Sequence, residues 1–438
     1  MRKATLLILG GIALLALASV QLYFTPAVQL RVAALRSDIF YFLNPPDQVA
    51  LVPDRLVAGA VESTLAALAQ TQTPSPTIVP QYTPTPLPEI PTPITETPTP
   101  TPTPTPIPTP TPTPLPPVVR LTGIRHEWQS FNNCGPANLA MALSFWGWPG
   151  DQRTTKAVLR PNPDDPNVMP AEMAAYVEAH TELRALVRTG GTIDLLRHLV
   201  AAGFPVIIEI GHHPADDWWM GHFVVVSGYD DARGILITQD SLIIPDMPRP
   251  YAEMTDRWWR DFNYLYLVIF PPEREAELLA ILGADADPME NARRTLAKAE
   301  AEIPHLSGRN LFFALFNRGH SLLDLGQVQA AAEAFDTAFI VYEQLDRAQR
   351  PWRILWYRQE AFKAYYEAGL YQSTIDLTNA ALATVRRGRL EESYYWRGRA
   401  HAALGNHEAA LRDLSLAVSL RAGFTEAEEA LRNLQSGQ

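Results

Sequence analysis

The chain has 438 residues, with 36 lysines and arginines against 47 aspartates and glutamates, and a formal net charge of −11. This acidic balance, without any Lys/Arg-rich run, argues against a nucleic-acid partner, because such partners are bound through a basic face. The single cysteine excludes an intramolecular disulfide and a cysteine-based zinc cluster, so the thiol is either a buried apolar group or a reagent. We expect no cofactor.

The N-terminus predicts a membrane helix. A short basic segment precedes an apolar run from 4 to 24, close to the ~20 residues that a helix needs to cross a bilayer. Basic residues before the run predict that the N-terminus stays inside and that the rest of the chain lies outside. Residues 1–24 are therefore predicted to be a signal anchor. The alternative is a signal peptide cleaved after Ala18, which ends an Ala-Leu-Ala segment, and a secreted protein.

A spacer is predicted next. Residues 25–72 form a juxtamembrane segment to which we assign no function, and residues 73–117 are dominated by Thr-Pro repeats. Because proline fixes φ and removes a backbone donor, we expect a disordered linker of extended polyproline II type. At about 3.1 Å per residue it would reach on the order of 100 Å. The composition also permits an O-glycosylated stalk.

The composition becomes globular at Val118, and the first motif there surrounds Cys134. Residues 133–137 lead into a run whose apolar positions have helical spacing, so we predict a helix that begins at or just after Cys134. Pro136 suits its first turn. At a helix N-terminus the macrodipole and the free N–H groups favour the thiolate and lower the pKa of a cysteine from about 8.5. Cys134 is therefore the candidate nucleophile.

Three strands are predicted downstream of this helix. They cover 205–210, 221–229 with His222 at its start, and 234–238. A hairpin between the last two strands would bring Asp240 beside His222. A nucleophilic thiol needs a base and a group that orients the base, and the order Cys, His, Asp supplies both.

These segments resemble the bacteriocin-processing (double-glycine) cysteine peptidases and their broader C39-like relatives. The motifs are Gln-x4-Cys-Gly-Pro-Ala, then Gly-His-Phe-x-Val-Val-x-Gly-Tyr-Asp-Asp, then Asp-Ser after the next strand. The resemblance implies an α+β papain-like cysteine peptidase domain over 118–272, with a helix packed on an antiparallel sheet. The double-glycine leader specificity is not carried over, because no transporter or ATPase motif follows.

The resemblance also implies a role for each site residue. Cys134 would be the nucleophile, His222 the general base and Asp240 the group that orients the imidazole. Gln129 would donate to the oxyanion together with the backbone N–H of Cys134. Gln129 lies five residues before the cysteine, whereas the glutamine of many papain-like enzymes lies six before it.

A polar loop separates the first two predicted strands. It carries His212, His213, Asp216, Asp217, Trp218 and Trp219. Because its histidines and aspartates follow no helix or strand periodicity, we expect no metal site there. We expect the loop to rim the cleft, with Trp218 and Trp219 as candidate substrate contacts. Trp258 and Trp259 fit either the core or the rim.

The tail, 285–438, predicts an all-α domain. Two blocks, around Gly319 and Gly398, share the spacing of their glycines and alanines and resemble the tetratricopeptide repeat, in which small residues allow two helices to pack closely. A leading helix is predicted over 288–303 and a capping helix over 424–435. Such solenoids present a concave surface to proteins, so we expect a protein partner here. An ordinary helical bundle is the alternative.

Together these features predict a membrane-tethered, extracytoplasmic cysteine peptidase that acts on a peptide or protein substrate and carries a docking domain. Two other functions are open. The papain-like domain would bind a peptide without cutting it and act as a scaffold, or the chain would be a cell-wall amidase of NlpC type. The NlpC-type amidases also carry Cys before His in the chain, but the Gly-Tyr-Asp-Asp segment fits that family less well.

Overall fold

The computed structural model describes Leu35, Leu51 and residues 114–212 and 219–437 of the chain. The predicted membrane helix, most of the juxtamembrane segment and of the Thr-Pro linker, and loop residues 213–218 lie outside the described residues. None of the helices within the described ranges has the length and apolar character needed to cross a bilayer.

An antiparallel sheet is the centre of the first folded region. Its strands are β1 (Val118–Arg120), β2 (Arg184–Arg188), β3 (Val206–His212), β4 (Met220–Asp230), β5 (Ile235–Gln239), β6 (Met247–Pro250) and β7 (Tyr266–Phe270). They are ordered β2-β7-β3-β4-β5-β6, and β1 also pairs with β4. The three strands predicted from the sequence are confirmed as β3, β4 and β5, joined by the expected hairpin.

Helices cover both faces of this sheet. They are α1 (Cys134–Phe145), α2 (Gln152–Leu159), α3 (Pro170–His180), α4 (Ile193–Ala201) and α5 (Glu275–Leu282). Side chains alternate along β3, so Ile207 packs under α1 and α3 while Ile208 packs under α4 and α5. The predicted helix at Cys134 and the predicted packing of helix on antiparallel sheet are confirmed.

The rest of the chain is helical, as predicted. Its helices are α6 (Pro288–Glu302), α7 (Gly308–Asp324), α8 (Val328–Gln344), α9 (Ile354–Tyr357), α10 (Glu360–Glu367), α11 (Tyr371–Thr384), α12 (Glu391–Ala403), α13 (His407–Leu420) and α14 (Thr425–Ser436). The two glycines of the shared pattern lie where paired helices meet. A Cβ at Gly319 would lie 2.8 Å from the ring of Phe335, and one at Gly398 would lie 2.8 Å from Leu414.

The helical region packs directly on the sheet region. Trp219 and Phe262 of the sheet region join one buried cluster with Phe313 and Tyr357 of the helical region. The ring of Trp219 stacks on Phe262 with centroids 5.8 Å apart and meets Phe313 at 5.4 Å. A buried apolar interface of this kind fixes the two regions relative to each other, which the sequence did not predict.

Candidate active site

Cys134 lies at the first turn of α1, between that helix and β4. Its side chain is 9% exposed. Asn138, one turn further along α1, donates from Nδ2 to the carbonyl oxygen of Cys134 (2.9 Å) and to that of Phe223 on β4 (2.7 Å). The buried amide therefore holds the N-terminal end of the helix against the strand that carries His222.

His222 joins the thiol to a carboxylate. Its Nε2 lies 2.9 Å from Asp240 Oδ1, and its ring also makes a side-chain hydrogen bond with Cys134. Because Nε2 is engaged with Asp240, Nδ1 is the ring nitrogen left for the thiol. His222 and Asp240 are 1% and 0% exposed, so the whole series is shielded from water.

Asp240 is held as a carboxylate by several donors. Oδ1 also accepts from the backbone N–H groups of Leu242 (2.9 Å) and Ile243 (3.0 Å). Nη2 of Arg249, itself 2% exposed, donates to Oδ2. Burial would raise the pKa of Asp240, but the positive charges of His222 and Arg249 and these hydrogen bonds hold it well below its ordinary value.

The electrostatics of the site favour an ion pair. Burial would raise the pKa of the Cys134 thiol, but the hydrogen bond to His222, the charge of that ring and the backbone N–H of Phe223 lower it below its ordinary value. Burial would lower the pKa of His222, but the charge and the hydrogen bond of Asp240 raise it to about 9. Both shifts favour the thiolate–imidazolium pair over the neutral pair.

Gln129 lies next to this series and its amide orientation is fixed. It is 6% exposed, and its backbone N–H donates to the carbonyl oxygen of Ser241 at 2.9 Å. Ser241 Oγ donates to Gln129 Oε1 at 2.8 Å and accepts from Asn138 Nδ2 at 3.0 Å. Because the hydroxyl proton goes to Oε1, the Nε2 end of the amide faces away from Ser241.

The loop before Cys134 is braced from α2 and the segment that follows it. Gln152 Oε1 accepts from Asn133 Nδ2 (2.8 Å) and from the backbone N–H of Ser130 (2.9 Å). Arg160, 5% exposed, donates to the carbonyl oxygen of Phe131 at 3.3 Å, and its charge also lowers the pKa of Cys134.

The helical region contributes Tyr357 to the wall of the site. A Cβ at Gly221, the residue before His222, would lie 2.7 Å from Tyr357 Cδ1. Burial raises the pKa of the Tyr357 hydroxyl, and the charges of Cys134 and Glu209 raise it further. The wall beside the nucleophile therefore comes from both regions of the chain.

The predicted substrate contact at Trp219 is wrong. Trp219 is 2% exposed, and its Nε1 donates to Asp261 Oδ2 at 2.7 Å within the interface with the helical region. Its partner in that prediction, Trp218, lies outside the described residues. Trp259 belongs to the core, and half-buried Trp258 lies under the guanidinium of Arg249.

Among the described residues, one cluster has the spacing of metal ligands. The carboxylate oxygens of Asp165, Glu391 and Glu392 are buried and lie within 4.8 Å of one another. Burial raises the pKa of Asp165 and Glu392 well above their ordinary values, and neighbouring carboxylates raise them further. Asn162 Nδ2 donates to Glu391 Oε2 at 2.7 Å. This cluster joins the sheet region to α12, and we assign it no ion.

The family of the first region follows from a comparison with family models. Residues 115–262 match the Peptidase_C39 like family. This region is therefore similar to the C39-like peptidases. Residues 391–424, which cover α12 and α13, match the tetratricopeptide repeat, so the chain fuses the two. The predicted relationship is confirmed.

A solved chain from Bacillus anthracis, described as a C39-like peptidase, is 19% identical. The match covers 35% of this chain and 96% of the other, with a TM-score of 0.29. No protein among the curated sequences matches the chain.

Proposed function

We propose that the chain is a membrane-tethered, extracytoplasmic cysteine peptidase of papain-like architecture with a tetratricopeptide-repeat docking domain. The observation that carries the proposal is the buried hydrogen-bonded series from Cys134 through His222 to Asp240. A thiol at a helix N-terminus, a histidine at the start of a strand and a carboxylate after the next strand are the parts that thiol acyl transfer needs.

The three residues then divide the steps of the reaction. The Cys134 thiolate attacks the scissile carbonyl carbon, and the imidazolium of His222 gives its proton to the leaving amine. Asp240 holds the ring in place and stabilises its positive charge. His222 next takes a proton from water, which attacks the thioester and releases Cys134.

The oxyanion of the tetrahedral intermediate needs donors that are in place before the reaction. Gln129 Nε2 and the backbone N–H of Cys134 are our candidates. The bond from Ser241 Oγ to Gln129 Oε1 supports this choice, because it turns the amide so that nitrogen, not oxygen, is presented on the opposite side.

The location of the domain outside the cell is part of the proposal. It rests on the apolar run from 4 to 24, on the basic residues before it and on the Thr-Pro stretch that follows, all read from the sequence. The linker would hold the folded regions at a distance from the membrane surface. The repeats would bind a protein partner or a segment of the substrate.

A cleavage assay tests this function. The full chain is incubated with a peptide library, and the products are identified by mass spectrometry, in parallel with purified peptidoglycan fragments. We expect peptide-bond cleavage that Cys134→Ala abolishes, and no release from peptidoglycan. Cleavage that survives Cys134→Ala would overturn the mechanism, and release from peptidoglycan alone would favour an amidase.

A further inference from the structure

A cavity lies between the peptidase-like region and the helical region, and Glu209 of β3 lines it. Its volume is about 570 Å³, within the range of sites that hold a side chain or a small ligand. Val187, Phe262 and Leu265 supply apolar wall from the peptidase domain, and Tyr357 closes the side towards Gly221. Three carboxylates also line it: Glu209, Glu360 and Asp324, the last of which lies 3.4 Å from His320 Nε2.

Glu209 is an unusual residue for its place in the fold. It stands in the middle of β3 among Val206, Ile207, Ile208 and Ile210, and it is 1% exposed. Its Oε1 has no hydrogen-bond partner among the described residues. Burying a carboxylate without a partner costs free energy, so a strand would be more stable with an apolar residue here. A cationic group bound in the adjoining cavity would explain why a carboxylate stands at this position.

The register of the sheet places Glu209 close to the chemistry. Glu209 is the cross-strand neighbour of Phe223, whose backbone N–H faces the Cys134 thiol. Directly opposed residues of an antiparallel pair project to the same face of the sheet. Glu209 therefore lies on the face that carries α1 and Cys134.

The bases that line the cavity bind other groups, although the charge of Arg358 also lowers the pKa of Glu209. Arg358 donates from Nη1 to Asn317 Oδ1 (2.6 Å), from Nε to Glu360 Oε1 (3.3 Å), and contacts His320 Nδ1 through Nη2 (3.1 Å). Arg188 donates to backbone carbonyls in the turn that follows α5, and Lys363 pairs with Glu367 on its own helix. Each cation thus has other partners.

Glu360 repeats this feature from the opposite side. Its Oε1 accepts from Arg358 Nε (3.3 Å) and lies 3.0 Å from His320 Nδ1, and both groups lower the pKa of Glu360. Its Oε2 has no hydrogen-bond partner among the described residues. Glu209 and Glu360 come from different regions of the chain, yet each leaves one carboxylate oxygen without a donor. Burial raises the pKa of Glu209 well above its ordinary value, and the charges of Cys134 and Glu360 raise it further, while the charge of Arg358 lowers it. A cation close to Glu209 would favour its ionised form.

We propose that this pocket takes a cationic group of the substrate, a lysine or arginine side chain or a free amino terminus, with Glu209 and Glu360 as its counter-ions. The inference rests on the proposed peptidase function, and it names the class of substrate. An ammonium or guanidinium group would supply the missing donors to both carboxylates, and its alkyl stem would pack on the apolar wall. The helical region would then select the substrate as well as dock it.

A binding measurement that needs no turnover tests this pocket. The full chain carrying Cys134→Ala is titrated with acetylated, amidated alanine hexapeptides that hold one lysine or one norleucine at successive positions. We expect the lysine peptide to bind at least about ten-fold more tightly than its norleucine partner at one position, as for a charge-assisted hydrogen bond. In Glu209→Gln this ratio should fall to about one, and Glu360→Gln should lower it partly.

The control is Glu182→Gln, which removes the same charge at an exposed site of the same domain and should leave the ratio unchanged. Hexapeptides with a free amino terminus identify the source of the cation. If they bind more tightly than acetylated peptides, and Glu209→Gln abolishes this difference in affinity, the pocket takes the amino terminus. Three results would overturn the inference. The first is equal affinity for lysine and norleucine peptides together with equal affinity for free and acetylated amino termini. The others are absence of binding and an affinity ratio that Glu209→Gln leaves unchanged. Thiol labelling and peptide cleavage by the parent chain test the peptidase function separately.

Discussion

Tyr357 of the helical region packs against Gly221 of β4, the residue that precedes His222. A Cβ on Gly221 would come within 2.7 Å of Tyr357 and of Phe262, so glycine is required for this approach. The strand that carries the proposed base is thus covered by a helix from the distant part of the chain. The helical region is part of the wall of the site and not a separate attachment.

This packing predicts that the two regions unfold together. Phe313→Ala removes a side chain that is 0% exposed in the shared cluster and should lower the free energy of unfolding by about 3–5 kcal/mol. Denaturant unfolding, followed by far-UV dichroism and by tryptophan fluorescence, should show one transition that shifts as a whole. Leu416→Ala, at a site 37% exposed, should change the free energy by less than about 0.5 kcal/mol. Two separated transitions in the parent chain would contradict the shared interface.

Asp240→Asn should weaken catalysis and move its pH dependence. Asp240 raises the pKa of His222 to about 9, so the imidazolium persists at neutral pH. The stability that the charged ring contributes to the fold is lost as the pH rises through that value. Without the carboxylate, the pKa of His222 should fall towards 6.5. We expect kcat/KM to drop roughly 10- to 100-fold, the worth of a hydrogen bond to a charged group. The alkaline limb of its pH profile should also move to lower pH. If the alkaline limb of the kcat/KM profile stays at the same pH, Asp240 does not act on His222 in the way proposed.

Ser241→Ala tests the orientation of Gln129. Loss of the hydroxyl removes the donor to Oε1, so the amide can turn and present oxygen to the oxyanion. We expect kcat to fall roughly ten-fold with little change in KM, less than the roughly 100-fold or greater loss expected for Gln129→Ala. The rate of Cys134 alkylation should not change in either variant, because neither residue acts on the thiol. A loss of alkylation in step with kcat would show that Ser241 supports the nucleophile instead.

The sequence predicted much of the fold and the reacting residues, because those signals are local. Helical spacing after Cys134, alternation in the strands and the turn between β4 and β5 all lie within short segments. The approach of Asp240 to His222 followed from one hairpin. The pairing of helices at Gly319 and Gly398 followed in the same way from a repeated local pattern.

What the sequence did not reveal depends on contacts between distant segments. The link from Asn138 through Ser241 to Gln129 joins three separate elements, and Arg249 reaches Asp240 from β6. Trp219 was misassigned because its partner ring, Phe313, lies on α7. Two signals were visible in the sequence. Asn138 is an amide in a helix whose other side chains are mostly apolar, and Glu209 is the one carboxylate within a buried strand.

The central claim is that Cys134 is an activated nucleophile, and alkylation by iodoacetamide tests it most directly. Because the chain has one cysteine, every adduct reports on Cys134. We predict that the native chain reacts at pH 6 to 7 at least about ten-fold faster than the urea-denatured chain, whose thiol has the ordinary pKa of about 8.5. The rate in His222→Ala should fall towards that of an unactivated thiol. A native chain that reacts no faster than the denatured one, with the same dependence on pH, would contradict the account.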